Sequence, residues 1–519
     1  MSVFGITLKK CCSDRTVLIF VFIFSISVSF LVHWHSQRAL FNDEAHELIL
    51  TEGVPLDRFY FICPSDAYPS GSVAPVEMGQ LYINRYLFWI FQDYFVKRDD
   101  FLVPLHAFNT LILALSCLCF YCAIRKYTSQ GLAALGAVML ATSYTALLFN
   151  QFVTRNTTTI IWGCLLILFL PSLIDGSQKT FSQKLRAALI CAILVLAGMS
   201  TFTSYLLAAV AIWTSLGIVW LRFDRKWSNL GWIMFSGSVF SFGYLFLCYT
   251  STYSLSAIFF RGTYAMNGMA VYVENAILTL LSPVYYATDG SFFKEDVHII
   301  FGRPLLAFVF APFYFIGLVY MICSRRPLVF LAVIVWVIGA LLCALSGPNP
   351  KYIYTFFPLI LLISLFGASI LRVLIAKHLG NTAANVILGL LLLFAVVDDL
   401  KDVFNQPHDM GREIVNTLPR HGAELAIKSV ESGRDTYIYF GLGYDILNWY
   451  LWPREIGIKV KRCSVTEELP ALFLQFPPQP DSVLFVDFPP ESLPQTLKGW
   501  TPPKEVSVDQ VKREELEVQ

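Results

Sequence analysis

The sequence has 519 residues, of which 56% are hydrophobic, 15% aromatic and 14% charged. Soluble globular proteins are about 45–50% apolar and about 25% charged, so this composition excludes a soluble globular, disordered or collagen-like chain. The 38 basic and 37 acidic residues give a net charge of +1 and therefore no overall field that would attract nucleic acid. The twelve cysteines lack the two spaced pairs of Cys or His that a structural zinc site needs. The composition indicates a polytopic membrane protein.

Long apolar runs predict the membrane spans, because about 20 apolar residues are needed to cross about 30 Å of hydrocarbon. The runs are 16–32, 101–124, 131–149, 157–174, 187–201, 205–221, 230–249, 304–323, 328–345, 353–371 and 386–403. The first run has no small-residue cleavage site, so we interpret it as a retained helix. Because only three residues separate the fifth and sixth runs, these are either one helix or two. We expect an α-helical polytopic membrane protein with about 11 transmembrane helices.

Basic residues alternate between the segments that connect these runs. One set of segments carries Lys9, Lys10, Arg15, Arg125, Lys126, Lys179, Lys184, Arg186, Arg222, Arg225, Lys226, Arg325, Arg326, Arg372 and Lys377. The short segments of the other set carry only Arg155 and Lys351. The positive-inside rule therefore places the N-terminus in the cytoplasm, and an odd number of spans places the C-terminus outside.

The C-terminal tail differs from the rest of the chain because it is polar, charged and rich in proline. Short β-branched or aromatic runs at 436–440, 456–460 and 482–486 predict strands, and helical patterns at 410–430, 444–452 and 491–497 separate them. We expect a membrane domain over residues 1–404, with exterior loops 35–100 and 251–303, and a small exterior α/β domain over residues 405–519. Cys63 and Cys463 are the only cysteines on the exterior side, and a disulfide between them is left open.

An acidic cluster follows the first span on its exterior side. Asp43 and Glu44 are adjacent, and two neighbouring carboxylates raise each other's pKa, which suits a general base that deprotonates a hydroxyl. The alternative is structural, with Asp43 as a helix N-cap and Glu44 and Glu47 in the first turn, where they complement the helix dipole. The local sequence leaves both interpretations open. His46 follows Asp43 by one helical turn and is the one histidine near other candidate groups.

Two isolated cations lie on the exterior side, where the topology disfavours them. Arg155 is the single charge in a very short turn, and a guanidinium is suited to bidentate phosphate recognition, although an interfacial Arg also reaches lipid headgroups. Lys351 and Tyr352 open the tenth span, where Lys351 would neutralise a phosphate and Tyr352 would anchor at the interface. The alternative there is an ordinary aromatic belt.

The first exterior loop adds two charged residues before an aromatic, amphipathic stretch. Glu77 and Arg85 precede residues 86–95, which we expect to lie along the membrane interface.

These residues together resemble the GT-C superfamily of glycosyltransferases that use polyprenyl-phosphate sugars, near its protein mannosyltransferase and aminoarabinose transferase branches. Asp43-Glu44 resembles the acidic pair that opens the family's first exterior loop. Thr154-Arg155 resembles its pairing of a small residue with Arg between the third and fourth helices. Lys351-Tyr352, followed by Pro358, resembles its basic-Tyr-x-x-x-x-x-Pro motif.

The chain departs from the family pattern at two places. The first loop reads Val76-Glu77-Met78-Gly79 where many relatives carry Glu-Lys-Pro-Pro. The second helix opens with Pro104-Leu105-His106 where many relatives carry Arg. Both departures concern the acceptor side, so the resemblance does not transfer a particular substrate.

The resemblance implies an inverting glycosyltransferase that moves a sugar from a polyprenyl-phosphate carrier to an acceptor hydroxyl on the exterior face of the membrane. Asp43 and Glu44 are the expected catalytic residues. The expected ligands of the donor phosphate are Arg155, Lys351 and Tyr352, and the expected contacts to acceptor or sugar are His46, Glu77 and Arg85. No cofactor, metal or nucleotide sugar is expected, although metal dependence varies across the superfamily.

The expected setting is a bacterial inner membrane with a periplasmic C-terminal domain, and the alternative is the endoplasmic reticulum membrane. The acceptor is expected to be a glycan, glycolipid or protein, as in modification of a cell-surface glycan or the O antigen of lipopolysaccharide. Three other functions remain open: a secondary transporter or flippase of lipid-linked glycans, an oligosaccharide ligase or polymerase, and a non-enzymatic scaffold. A transporter predicts pseudo-repeats and charged or broken helices at mid-membrane.

Overall fold

The computed structural model of the chain describes nineteen stretches, and the structural statements below concern these residues. They are 14–36, 42–52, 54, 62–63, 76–77, 79–91, 102–126, 128–151, 158–174, 180–201, 205–250, 269–284, 306, 308–344, 354–412, 414–441, 444–451, 454–487 and 499–511. The predicted helix at 491–497 lies outside them, as do Arg155, Lys351 and Tyr352.

Most of the described residues are helical. The first nine helices are α1 (Arg15–Ser36), α2 (Asn42–Glu52), α3 (Gly79–Phe91), α4 (Leu102–Ile124), α5 (Gln130–Thr142), α6 (Tyr144–Gln151), α7 (Thr159–Phe169), α8 (Phe181–Thr201) and α9 (Tyr205–Val219). They are followed by α10 (Trp227–Thr250), α11 (Met269–Leu281), α12 (Ala311–Cys323), α13 (Pro327–Cys343), α14 (Phe357–Arg412) and α15 (Ile414–Glu431). The short helices α16 (Tyr444–Tyr450), α17 (Arg454–Lys459) and α18 (Leu469–Gln475) complete the set.

Six of the described helices are long and apolar enough to cross a membrane. They are Arg15–Trp34, Leu102–Ile124, Phe181–Met199, Leu206–Asp224, Trp227–Leu247 and Phe357–Lys401. The pair α12 and α13, bent by 120° at the break between them, would add a seventh if it is one span. The chain is therefore an integral membrane protein, and the predicted number of 11 spans is confirmed only in part.

The differences from the predicted spans have local causes. The fifth and sixth runs form two helices, α8 and α9. The third run is interrupted at Ser143, which has an extended backbone and ends α5, so neither α5 nor α6 reaches the length of a span alone. The last two runs form one element, α14, with a kink at Gly380, whose φ of 85° is a conformation that suits glycine. Inside the predicted loop 251–303 lies the apolar helix α11.

Close backbone contact holds the centre of the helical bundle together. Gly317 on α12 and Gly367 on α14 face each other, and a Cβ atom at either position would overlap the backbone of the other helix. Small residues at such crossings let membrane helices approach closely, so van der Waals contact replaces the hydrophobic driving force that lipid does not supply. A second tie lies at the start of α1, where buried Asp14 accepts hydrogen bonds from Tyr121 (2.6 Å) and Arg125 (2.8 Å).

The C-terminal part contains a four-stranded, all-parallel sheet. Its strands are β3 (Thr436–Tyr439), β4 (Val460–Cys463), β5 (Ser482–Val486) and β6 (Val506–Gln510), in the order β4-β3-β5-β6. The first loop contributes a separate antiparallel pair, β1 (Ile62–Cys63) and β2 (Val76–Glu77). The two central strands β3 and β5 are fully buried, as expected when helices cover both faces of a parallel sheet. The predicted boundary at residue 405 stays a prediction, and α14 continues past it to Arg412.

The predicted strands at 436–440 and 482–486 are confirmed, but the one at 456–460 is wrong, because most of it forms α17 and the strand begins at Val460. Gly457 lies against the carbonyl oxygen of Leu451, a contact that leaves no room for a Cβ atom and fixes the helix there. Cys463 on β4 is a free, buried thiol, and no disulfide joins it to Cys63 among the described contacts. Burial raises the pKa of the Cys463 thiol to about 12.

Candidate functional site

Helix α2 carries the acidic pair and is held between three other helices. It begins at Asn42, so Asp43 and Glu44 lie in its first turn. Its inner face carries Ala45 and Leu48, which are fully buried in one apolar cluster. The other buried members of that cluster come from α3, the start of α4 and α16: Phe88, Leu105, Ile446 and Trp449. The C-terminal sheet therefore contributes, through α16, to the support of the helix that carries the candidate base.

Buried polar groups continue along α2. Glu47, one turn after the acidic pair, is 5% exposed. The hydroxyl of Thr51 donates to the backbone carbonyl of Glu47 at 2.8 Å. Carboxylates in the first turn complement the helix dipole, so the structural interpretation of Asp43 and Glu44 remains compatible with a catalytic one.

Helix α3 presents two buried amides next to this cluster. Gln80 and Asn84 are 2% and 1% exposed and lie one turn apart, with Gln80 Nε2 donating to Asn84 Oδ1 at 2.9 Å. Gln80 Oε1, Asn84 Nδ2 and the Nε of Arg85 are buried without a hydrogen-bond partner in the structure. Phe88, one turn further along the same face, packs in the cluster that contains Ala45 of α2.

A polar cluster lies where α1 ends, α4 begins and α6 ends. We call this end of the bundle the site end, because α2 follows α1 there. The hydroxyls of Ser29 and Thr110 share a hydrogen bond of 2.9 Å, and Asn150 donates to Ser29. Asn109 donates to the backbone carbonyl of Asn150 at 3.4 Å. The rings of His33 and His106 are 4.1 Å apart in the same region.

The segments that follow Arg155 and Lys351 meet in the structure. Gly163 on α7 lies so close to the carbonyl oxygen of Thr355 that a Cβ atom there would be 2.8 Å away. Thr355 belongs to a short 3-10 turn, Tyr354–Phe356, that leads into α14. At the start of α7, Thr158 Oγ1 and Trp162 Nε1 are buried without a hydrogen-bond partner in the structure. They lie one turn apart on the helix face that continues to Leu166.

An apolar cleft begins at this junction. Its cavity volume is about 40 Å³, and the space without atoms in and around it, open solvent included, is about 610 Å³. On one side it extends from Gly163 on α7 to Pro171 in the 3-10 turn that follows α7. On the other side it extends from Thr355 in the turn before α14 to Phe366 on α14. Residues of α9 and α13, among them Ala208 and Ala332, form its other walls. Among the described residues that line it, Thr355 alone has a polar side chain.

Five of the eight predicted site residues lie on described helices or strands, and three lie outside the described residues. Asp43, Glu44 and His46 lie on α2, Glu77 on β2 and Arg85 on α3. Arg155, Lys351 and Tyr352 lie outside the described residues, between elements that are described. Within the described part of the chain, no group of three His, Cys, Asp or Glu residues could hold a metal ion. The roles of all eight residues, and metal-independent catalysis, stay predictions.

Sequence reasoning did not find three features of the site. These are the amide pair on α3, the unpaired groups at the start of α7 and the contribution of α16 to the support of α2. The amide pair had a local signal, because Gln80 and Asn84 have the i, i+4 spacing of neighbours on one helix face. Trp449 had none, since its partners on α2 and α3 lie more than 350 positions away in the chain.

No protein-family model matches the sequence, and no curated protein matches it. Solved structures do match the fold. The oligosaccharyltransferase of Archaeoglobus fulgidus, solved with a tethered acceptor peptide containing the NVT sequon, is similar with a TM-score of 0.58 and 15% identity over 86% of this chain and 63% of its own. The same organism's oligosaccharyltransferase AglB, in complex with an inhibitory peptide and dolichol-phosphate, gives a TM-score of 0.54, 15% identity and coverage of 85% and 64%.

A bacterial structure also matches. ArnT from Cupriavidus metallidurans bound to undecaprenyl phosphate gives a TM-score of 0.52 and 12% identity over 87% of this chain and 94% of its own. The chain thus spans slightly less than two thirds of the archaeal enzymes and nearly the whole of ArnT. The chain shares the fold of these structures, and that is the fold which the resemblance of its motifs to the GT-C superfamily predicted.

Proposed function

We propose that this protein is an inverting glycosyltransferase that moves a sugar from a polyprenyl-phosphate carrier to an acceptor hydroxyl. The observation that carries the proposal is the apolar cleft between α7, α9, α13 and α14, which begins where the segments following Arg155 and Lys351 meet. A hydrophobic tail in the cleft would leave its phosphate at the end of the cleft that lies nearest in sequence to Arg155 and Lys351. The GT-C fold supports the same assignment, because its structural neighbours include proteins solved with dolichol-phosphate and undecaprenyl phosphate.

The shape of the cleft favours a lipid over a soluble substrate. The stretch from Gly163 to Pro171 covers eight helical steps, or about 12 Å, and the stretch from Thr355 to Phe366 covers about 16 Å at about 1.5 Å per residue. An ion or a free sugar in a cleft of this composition would leave its polar groups without hydrogen bonds, which is costly. An isoprenoid chain several units long has no such groups. This argument disfavours a secondary transporter of a soluble compound.

The proposed chemistry uses the charges that the sequence analysis singled out. Asp43 accepts the proton of the acceptor hydroxyl while the hydroxyl oxygen attacks the anomeric carbon. The bond from that carbon to the phosphate oxygen breaks, and the polyprenyl phosphate leaves with the bonding electrons. Arg155 and Lys351 stabilise the charge that grows on the leaving phosphate, with Tyr352 beside them. Attack opposite the leaving group inverts the anomeric centre.

The remaining candidates serve binding. Glu44, His46 and Glu77 orient the acceptor or a sugar hydroxyl, and Arg85 contributes from α3. Thr158 and Trp162, whose polar atoms have no partner, lie two turns and one turn before Leu166 of the cleft and supply donors close to the carrier phosphate. No step in this scheme calls for a metal or a nucleotide sugar, since the activated bond is already present in the lipid-linked donor.

The proposed setting is a bacterial inner membrane, with the reaction on the periplasmic face. The distribution of Lys and Arg supports this orientation. Acceptors of this class are hydroxyls of a cell-surface glycan, of a lipopolysaccharide such as its O antigen, or of a protein.

The test uses the full-length protein in lipid nanodiscs. A panel of undecaprenyl-phosphate hexoses and pentoses is supplied with a cell-envelope glycolipid fraction as acceptor, and release of free undecaprenyl phosphate is measured. We expect release from one donor of the panel, and its loss in Ala332→Trp, which fills the cleft. Gly231→Trp adds the same bulk where a Cβ atom meets nothing within 4 Å and should behave as wild type. Release that is absent for every donor, or unchanged in Ala332→Trp, would contradict the proposal.

A further inference from the structure

The amide pair on α3 has an unusual hydrogen-bonding balance. Gln80 and Asn84 are almost completely buried, yet they bond only to each other, through Gln80 Nε2 and Asn84 Oδ1 at 2.9 Å. Gln80 Oε1 and Asn84 Nδ2 have no partner in the structure. Buried polar groups are almost always paired, because an unpaired group loses its bonds to water and receives nothing in return.

This imbalance does not depend on how the two amides are oriented. Oxygen and nitrogen of an amide are assigned from the surrounding hydrogen bonds. If both side chains are turned over, Asn84 donates to Gln80 instead, and the free atoms become the nitrogen of Gln80 and the oxygen of Asn84. In either arrangement the pair keeps one donor atom and one acceptor atom unused.

The position of the pair connects it to the candidate base. Asn84 lies one turn before Phe88, which packs with Ala45 and Leu48 of α2. Asp43 and Glu44 precede these two residues in the first turn of α2. Arg85, adjacent to Asn84, adds a further buried donor, its Nε, that also has no partner.

We propose that Gln80, Asn84 and Arg85 form a saccharide subsite that binds sugar hydroxyls beside the catalytic helix. A hydroxyl group is both donor and acceptor, so it matches a pair that keeps one donor and one acceptor unused. A phosphate or carboxylate offers acceptors alone and would leave the amide oxygen facing another oxygen. The proposal rests on the proposed glycosyltransferase function, and the hydroxyls belong either to the donor sugar or to the acceptor sugar.

The test replaces both amides by apolar groups of similar shape in the variant Gln80→Met/Asn84→Leu. If the pair serves only the fold, saccharide binding is unchanged in the variant. If the pair is a binding site, the variant loses unpaired buried groups, so its thermal midpoint Tm stays equal or rises while saccharide binding weakens. Asn229→Leu is the matched control, because that amide accepts from Lys184 and donates to Asp224. The control should lower Tm and leave saccharide binding unchanged.

Two binding measurements distinguish the sources of the hydroxyls. The first is the ratio of the affinities of the undecaprenyl-phosphate sugar and undecaprenyl phosphate, which isolates the donor sugar. The second is the affinity for a panel of para-nitrophenyl hexosides, which represent the acceptor sugar. We expect one of them to fall by about tenfold in the variant, the equivalent of about 1.4 kcal/mol. The subsite proposal would be contradicted if both affinity measurements were unchanged in the variant, or if Tm fell while saccharide binding stayed intact. Failure of undecaprenyl phosphate itself to bind wild type would instead contradict the proposed function.

Discussion

Trp449 is the most informative single position for the link between the C-terminal sheet and the acidic helix. Its side chain on α16 is fully buried and packs near Phe88, with ring centres 6.2 Å apart, in the cluster that contains Ala45 and Leu48. Replacing Trp449 by Ala removes the largest side chain in the cluster and leaves a cavity between α2, α3 and α16. We expect α2 to lose its fixed position while both the sheet and the membrane helices remain folded.

The size of the effect follows from the buried area. A Trp side chain buries about 150–250 Å². At about 25 cal/mol per Å² this corresponds to about 4–6 kcal/mol, an upper estimate because the unfolded chain is itself partly compact. Measured replacements of buried Trp by Ala cost about 3–5 kcal/mol. A loss of about 3 kcal/mol in the free energy of local opening raises amide exchange about a hundredfold.

The assay is hydrogen exchange of the protein in nanodiscs, read by mass spectrometry over peptides that cover α2. Trp500→Ala is the matched control, because Trp500 stacks on Phe473 in a cluster that does not include α2. We expect exchange of the α2 amides to accelerate about a hundredfold in Trp449→Ala and to be unchanged in Trp500→Ala. Equal exchange of α2 in wild type and Trp449→Ala would refute the packing argument.

Three further predictions concern single interactions. Arg155→Ala should weaken binding of undecaprenyl phosphate by about 10–100-fold, since a hydrogen bond to a charged group contributes about 1.5–3 kcal/mol; an unchanged dissociation constant would place the phosphate elsewhere. Asp14→Ala should lower the free energy of unfolding, measured by thermal denaturation, by about 1–3 kcal/mol. The reason is that Arg125, which is 20% exposed, loses the carboxylate that lies 2.8 Å from its Nε. Burial raises the pKa of the Cys463 thiol to about 12, so this thiol stays protonated at pH 8. Maleimide at pH 8 should therefore label the exposed Cys323 and not Cys463, which mass spectrometry of the labelled peptides checks.

The membrane part of the fold is predictable from sequence because its physical requirement is simple. A helix that crosses hydrocarbon needs about 20 apolar residues, and such runs are visible without any tertiary information. The interruptions are not predictable in the same way. Ser143 ends α5 and Gly380 kinks α14 through backbone conformations that the neighbouring helices hold in place. The apolar runs therefore indicate where helices lie but not where each helix breaks.

The C-terminal sheet was predicted less completely. Strands β3 and β5 are continuous apolar runs, which the sequence shows directly. Strand β6 was missed because it alternates between buried and exposed residues, as an edge strand does, and reads as a polar segment. The run at 456–460 was misassigned because its helix depends on a close contact between Gly457 and Leu451, which no local pattern reveals.

In the candidate site, too, some residues could be predicted from the sequence and others could not. Asp43, Glu44 and Arg155 are conspicuous in sequence because charges at the edge of a membrane are costly and therefore rare. The supporting residues are ordinary in sequence, since a Trp in a polar tail and a Gln in an amphipathic helix attract no attention. Their significance comes from being buried together, and that requires contacts between distant parts of the chain.

The central claim is that Asp43 takes the proton of an acceptor hydroxyl during sugar transfer from a polyprenyl-phosphate carrier. The most direct measurement compares release of undecaprenyl phosphate by wild type and Asp43→Asn in nanodiscs, with the thermal midpoint recorded for both. Asn keeps the volume of Asp and removes the basic oxygen. The account predicts an unchanged midpoint and a loss of release of at least a hundredfold, the lower range for general base catalysis. Release at the wild-type rate from Asp43→Asn would contradict it.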